Sequence, residues 1–440
     1  MNDTQKGIAM TKKKLFVFCL DALCSMDIEL MRTMPNFKFM FEQGSWVTHM
    51  HSIYPSVTYP CHCSIVTGNY VEKHGIPHNE IVKAGDQNAP WYNMRQDVQS
   101  KTLLDYAKEN GFSTCSLSWP VSGGADYDLN MPMIVPIGYN GPNPEQFFES
   151  TATAELVERY FPRYGHHLIG EDRSLDRYTM GLATEIIKDY RQPDVMLVKM
   201  CDLDTVRHRY GVMNGHVIEQ LHKHDAEFGV LVEQIRKHGD FENTDFVILG
   251  DHGQTDIDHV LNFNILLKQA GFISVDENDQ LIDYDAYCHS VGMSAWISLK
   301  DPSDEKMKQK VHEFLLSVKA DPKYGLGHVF TKEEVREQYK LTGPFEFVIE
   351  GEAAISFGNT LSGDDAFSET RVGDYKTAKA SHGGLPYKEQ QTTFIACGPS
   401  VKQGVVIDQA NLVDMAPTMA AMLQFKMQDV DGIILDPLLK

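Results

Sequence analysis

Four short stretches are almost continuously apolar: 15–20 (LFVFCL), 195–200 (VMLVKM), 246–249 (FVIL) and 394–396 (FIA). Runs of that length without polar alternation are the pattern of strands buried on both faces. Between them, apolar residues fall at helical spacing. In 173–190 these are Leu175, Leu182, Ile186 and Tyr190; in 216–238 they are Leu221, Phe228, Leu231, Val232 and Ile235. Buried strands alternating with amphipathic helices predict an α/β fold on a mostly parallel sheet. Ligands in such folds bind beyond the carboxyl ends of the strands, so chemistry is sought just after each run.

Residues 285–351 have a different rhythm. A strand-like 293–299 is followed by Asp301-Pro302, read as the N-cap and first turn of a helix whose stripe is Met307, Val311, Phe314, Leu315 and Val318. Val329-Phe330, a helix-like 332–338 and a strand-like 345–349 complete a small α/β lobe. The expected organisation is a core over 10–265 and 370–440 with this lobe inserted.

Composition narrows the function classes. With 440 residues, 42% of them hydrophobic and 23% charged, the chain can bury a large core, which excludes a disordered protein. A net charge of −21 argues against binding a nucleic-acid polymer or an anionic membrane, either of which needs a basic face. No run of apolar residues is long enough to span a bilayer. Lys12-Lys13-Lys14 before 15–20 imitates a secretory leader, but the apolar part is short and Asp21 interrupts it. The eight cysteines show no paired CxxC spacing, so neither a zinc ribbon nor a disulfide framework is expected, and a cytoplasmic location is.

The apolar runs end in acidic and histidine residues. Asp21 follows the first, Asp202 to His208 follow the second, and Asp251-His252-Gly253 follow the third; Ser381-His382-Gly383 precedes the last. A mixed imidazole and carboxylate set suits zinc and similar divalent ions. Any one of these groups alone is a solvated helix face, a cap or a turn; their coincidence at strand ends carries the weight.

The segment 54–68 (YPSVTYPCHCSIVTG) sets Thr58 between two prolines ahead of an apparent helix. A helix N-terminus favours phosphate, and a divalent metal can activate a hydroxyl as a nucleophile. Thr58 could equally cap the helix.

Taken in order, Phe18 to Ala22, Met34-Pro35-Asn36, 55–60, 64–68, His74-Gly75-Ile76, Trp119-Pro120, Asp204 with His208, Asp251-His252-Gly253 and His382-Gly383 resemble the nucleotide pyrophosphatase/phosphodiesterase family (type I phosphodiesterases) of the alkaline phosphatase superfamily. The resemblance implies an alkaline-phosphatase-like three-layer sandwich holding two divalent metal ions, zinc above all. One would be held by Asp21, Thr58, Asp251 and His252, the other by Asp204, His208 and His382. It implies in-line attack of Thr58 on phosphorus and hydrolysis of a phospho-threonine intermediate. Sulfatases are excluded, because no Cys/Ser-x-Pro-x-Arg segment occurs.

Two positions depart from the family pattern. Cys61 replaces an asparagine that contacts a phosphoryl oxygen, and Arg207 replaces a glycine before the metal-binding histidine. Both are assigned to substrate binding here. Arg207 would grip a second phosphate or a carboxylate, or else be a surface charge. Asp202 competes with Asp204 as ligand; the four-residue interval to His208 favours Asp204. Trp91, Tyr92 and Trp119 lie where family members approach substrate, and so would stack on a base or serve as core. Tyr59, His62 and Asn79 are further pocket candidates. The lobe lies between His252 and His382, which suits a cap. The expected function is hydrolysis of a small phosphate ester as a phosphodiesterase or pyrophosphatase. The alternatives are a phosphonoacetate-hydrolase-like phosphonatase, a phosphomonoesterase, or a silent phosphate-ester-binding protein. The acidic charge does not forbid an anionic substrate, since bound metals set the local field.

Overall fold

A computed structural model describes residues 12–86, 88–135, 143–352 and 354–440. Residues 10 and 11, at the start of the expected core, lie outside the described residues. The main sheet has eight strands, in the order Val406–Asn411, Ser45–His51, Thr392–Cys397, Thr244–Leu249, Lys14–Leu20, Val195–Met200, Thr114–Leu117 and Leu129–Met131. Thr392–Cys397 runs antiparallel to both its neighbours, and the other pairings are parallel.

The strand period of two divides each central strand between two cores. Phe16, Phe18 and Leu20 face one apolar cluster with Met196, Val198, Phe246 and Ile248, covered by Leu175–Tyr190 and Gly215–His238. Leu15, Val17 and Cys19 face the other with Leu197, Val247 and Leu249, covered by Thr58–Thr67 and Met415–Met422. A layer of helices on each side makes the three-layer sandwich. The two long helices start where their caps do: Ser174 Oγ accepts from Arg177 N–H, and Asn214 Oδ1 accepts from His216 and Val217 N–H. Among the described residues, no helix is long and apolar enough to cross a membrane.

Residues 286–351 form a four-stranded antiparallel sheet, Ala286–Ser290, Ser294–Leu299, Phe347–Gly351 and Leu326–Thr331 in spatial order, with helices Glu305–Ala320 and Lys332–Tyr339. Asp301 does not cap the first helix. Asp304 does, accepting from Lys306 and Met307 N–H, while Asp301 folds a local turn with Ser303. Both aspartates fit an N-cap; the helix starts where the chain has cleared the preceding strand.

Candidate metal and phosphoryl-transfer site

The strands Thr244–Leu249, Lys14–Leu20 and Val195–Met200 are adjacent and parallel, so their carboxyl ends meet at one edge. Asp21 and Asp251 leave directly from two of them, and Asp204 stands on the helix Asp202–Tyr210 that follows the third. His382 arrives by a short antiparallel pairing of Ala380–Ser381 with Thr255–Asp256, just beyond His252. Gly383, at φ +90°, lets the backbone pass beside Val291.

Thr58 is the first residue of the helix Thr58–Thr67, after an extended Val57, and no side chain caps this helix. Its Oγ1 lies 3.3 Å from His252 Nε2. The capping role is thereby excluded, and the hydroxyl points among the candidate ligands. Of the helix's first four backbone groups, Tyr59 N–H is taken by Asn79 Oδ1, Cys61 N–H by the Val57 carbonyl, and Pro60 has none. Thr58 N–H is left without an acceptor among the described residues.

Two ligand-atom clusters occur here, Asp21 with Asp251 and His252, and Asp204 with His252 and His382. His208 joins the second through Asp204, its Nε2 3.2 Å from Asp204 Oδ1. The three histidines share one arrangement. Nδ1 of His208, His252 and His382 bonds the backbone carbonyl of Ala380, Gly253 and Ser56 respectively. A carbonyl only accepts, so each Nδ1 donates, and in the neutral ring each Nε2 presents a lone pair.

The fit to a cation follows from those lone pairs. Asp251 Oδ2 and Asp21 Oδ1 lie 3.2 and 3.4 Å from His252 Nε2. All three are acceptors, enclosed together, and both carboxylate oxygens lack a hydrogen-bond partner, as does His208 Nε2. Acceptors facing one another in a buried space are costly unless a cation lies between them. The charges tell the same story. Burial and then Asp21 push the Asp251 carboxyl well above its usual range. Burial, with His252 and His208 alongside, holds His382 well below the usual histidine value. Asp204 and His208 pair instead: against burial, each favours the other's charged form, drawing the Asp204 carboxyl down to about 2 and His208 up, with a proton that a cation bound there would displace.

Two assigned substrate contacts are not where the sequence reading puts them. Arg207 is fully buried; its Nη2 lies 2.7 Å from both oxygens of Asp27 and its Nη1 donates to the Ala22 carbonyl. It is neither a substrate ligand nor a surface charge. Cys61 is also fully buried, with Sγ 3.2 Å from Ser52 Oγ and its side chain in the apolar cluster beneath the site.

The remaining candidates separate cleanly. Asp202 pairs with Lys223 at 2.8 Å, which leaves Asp204 as the candidate ligand. His62 and Trp119 are buried with ring centroids 4.9 Å apart, and His62 Nδ1 donates to the Thr58 carbonyl at 2.7 Å and lies 3.3 Å from Asp251 Oδ2. Tyr59 is buried with its hydroxyl on Asn93, so it offers no face to a base. Trp91 is half-buried, edge-on to Tyr59 at 5.1 Å and to Tyr375 at 5.9 Å.

A cavity of about 230 Å³ opens over the second cluster, bordered by Asp204, His208, Arg209, Asp374 and Tyr375. None of the residues bordering it comes from 285–351. The lobe meets the loop that leads into Thr58, where Tyr54 Oη donates to Glu350. Tyr375 stacks on His382 at 5.8 Å and was not foreseen, since its segment is polar and without periodicity. Gln254, which donates to Asp204 Oδ1 at 2.6 Å, was missed for the same reason.

Similarity to known proteins identifies the family. The family described as type I phosphodiesterase / nucleotide pyrophosphatase matches residues 15–378. Ectonucleotide pyrophosphatase/phosphodiesterase family member 7 of Mus musculus is 22% identical over 431 residues, covering 92% of this chain and 83% of the relative. Venom phosphodiesterase of Naja atra is 24% identical over 253 residues, 54% of this chain and 26% of its own. Human ectonucleotide pyrophosphatase/phosphodiesterase 5 superposes with a TM-score of 0.66 at 18% identity, covering 97% of this chain and all of that one. An inactive variant of the murine counterpart, in complex with AMP, gives 0.65 at 16% identity over 98% of this chain and all of that one. These structures share the alkaline-phosphatase-like sandwich. With most of its length matched by the family, the chain belongs to the type I phosphodiesterase / nucleotide pyrophosphatase family, whose members hydrolyse phosphoric esters.

Proposed function

We propose that the protein hydrolyses a small soluble phosphodiester or pyrophosphate through a phosphorylated Thr58, with two divalent ions, zinc by the chemistry of the donors, held by Asp21, Asp251 and His252 and by Asp204, His208 and His382. The observation that carries the reading is the convergence of three Nε2 lone pairs and unpartnered carboxylate oxygens around Thr58 Oγ1. When bound, such ions act as Lewis acids that ease loss of the Thr58 proton and offset charge on the phosphoryl oxygens.

The chain's own residues do the rest. The helix start fixes Thr58 Oγ1, and the free Thr58 N–H donates to a non-bridging phosphoryl oxygen, the kind of preorganised contact that favours the transition state. Thr58 Oγ1 bonds to phosphorus, the ester bond opposite breaks, and the leaving oxygen takes a proton. Water then attacks the same phosphorus and returns the Thr58 hydroxyl. Arg209 stands at the rim of the opening, where the part of the substrate beyond the phosphorus would lie. The AMP complex of the murine relative supports a nucleotide-sized ester. Phosphonoacetate cleavage drew its support from Arg207 meeting a carboxylate, and the burial of Arg207 removes that support.

The test is metal analysis of the purified protein, with turnover of bis-(p-nitrophenyl) phosphate and p-nitrophenyl phosphate. Two equivalents of a zinc-like metal and diester turnover far above monoester turnover are expected. A metal-free active protein would contradict the reading, and monoester preference would replace it with a phosphomonoesterase.

A further inference from the structure

The strand Val195–Met200 carries one charged residue, Lys199, and it is fully buried. Lysine is almost never fully buried unless paired. Its Nζ lies 2.6 Å from Asp21 Oδ2, and its other contacts are two sulfurs, Cys201 Sγ at 3.0 Å and Met133 Sδ at 3.4 Å. Asp21 is therefore its charged partner. The strand's other side chains are apolar, so Lys199 is its one charged group.

The two oxygens of Asp21 have separate tasks. Oδ2 is held by Lys199, while Oδ1 has no hydrogen-bond partner and faces His252 Nε2 at 3.4 Å. The geometry points to Lys199 as a positioning residue that confines Asp21 to one-oxygen coordination and weakens the hold of the Asp21–Asp251–His252 group on its divalent ion. The inference rests on the two-metal reading above. Two effects oppose each other. Loss of an orienting partner costs about ten- to hundredfold in metal affinity. Repulsion between an ammonium and a doubly charged ion across one buried carboxylate is larger than that at an effective dielectric of about 20. Charge therefore decides, and removing it tightens binding.

The experiment is competition of the full-length protein with a chromophoric zinc chelator, comparing wild type with Lys199→Gln, Lys199→Met and Lys199→Arg. Lys199→Gln keeps an N–H donor for Oδ2 without the charge, so it remains informative if Lys199→Met does not fold. The expected result is zinc bound at least about tenfold more tightly by Lys199→Gln, with Lys199→Arg near wild type. Equal or weaker zinc binding by Lys199→Gln would overturn the tuning role. Failure of the wild-type chain to take up zinc would overturn the two-metal reading itself, and this inference with it.

Discussion

Arg207 Nη2 lies 2.7 Å from both carboxylate oxygens of Asp27, a fully buried pair that ties the helix bearing Asp204 and His208 to the loop bearing Asp21. The same arginine donates to the carbonyl of Ala22, the residue next to Asp21. It thus braces the two candidate ligand groups against each other. Removing one partner of a buried pair strands a charge and costs about 3–5 kcal/mol, whereas replacing both by apolar residues is often neutral. Arg207→Ala should therefore lower the denaturant midpoint strongly, and Arg207→Met with Asp27→Leu should recover most of the loss. Unchanged stability with a raised KM would return Arg207 to substrate binding.

A pH effect on stability is expected from Asp176. Its oxygens accept from Cys201 and Asp202 N–H, capping the helix that carries Asp204 and His208. Burial, then Asp202, raises its carboxyl from 3.8 to about 7, with His224 opposing. The folded form then holds a proton that the unfolded chain has released. Its contribution is full below about pH 4 and is lost as pH rises through about 7. Unfolding titrations should show the stability of wild type falling relative to Asp176→Asn across that window. A constant difference would contradict the assignment.

Gly383→Ala tests the path of the His382 segment. A methyl there would sit 2.1 Å from the Val291 carbonyl at φ +90°. Such a backbone alone costs about 1–3 kcal/mol for a non-glycine residue. Lower thermal stability and weaker metal retention should appear together, because His382 is adjacent. Loss of stability with unchanged metal content would show that His382 is not a ligand.

These tests also mark what the sequence made legible. The central strands were readable because burial on both faces leaves a continuous apolar run, and Asp21 and Asp251 follow those runs directly. The identity of Arg207's partner was not readable: Asp27 is 180 residues away, and only the fold brings it within reach. Cys61 was misread because its spacing from Thr58 matches a family pattern while its side chain packs into the core. Lys199 was hidden inside an apolar run, and Tyr375 lies in a segment with no period to read.

Metal removal should destabilise the folded chain. A ligand at about a thousand times its Kd stabilises by about 4 kcal/mol when the unfolded chain does not bind it. Dialysis against a strong chelator should lower the melting temperature, and added zinc should restore it. No shift in either direction would contradict the ligand assignment.

The central claim is that Thr58 becomes covalently phosphorylated. The direct measurement is acid quenching during turnover of a diester, followed by mass spectrometry of the peptide containing Thr58. The account predicts one adduct on Thr58 in wild type, a phosphorus that still carries the diester's retained arm, and neither adduct nor turnover in Thr58→Ala. An unmodified Thr58 in wild type together with full turnover by Thr58→Ala would contradict it.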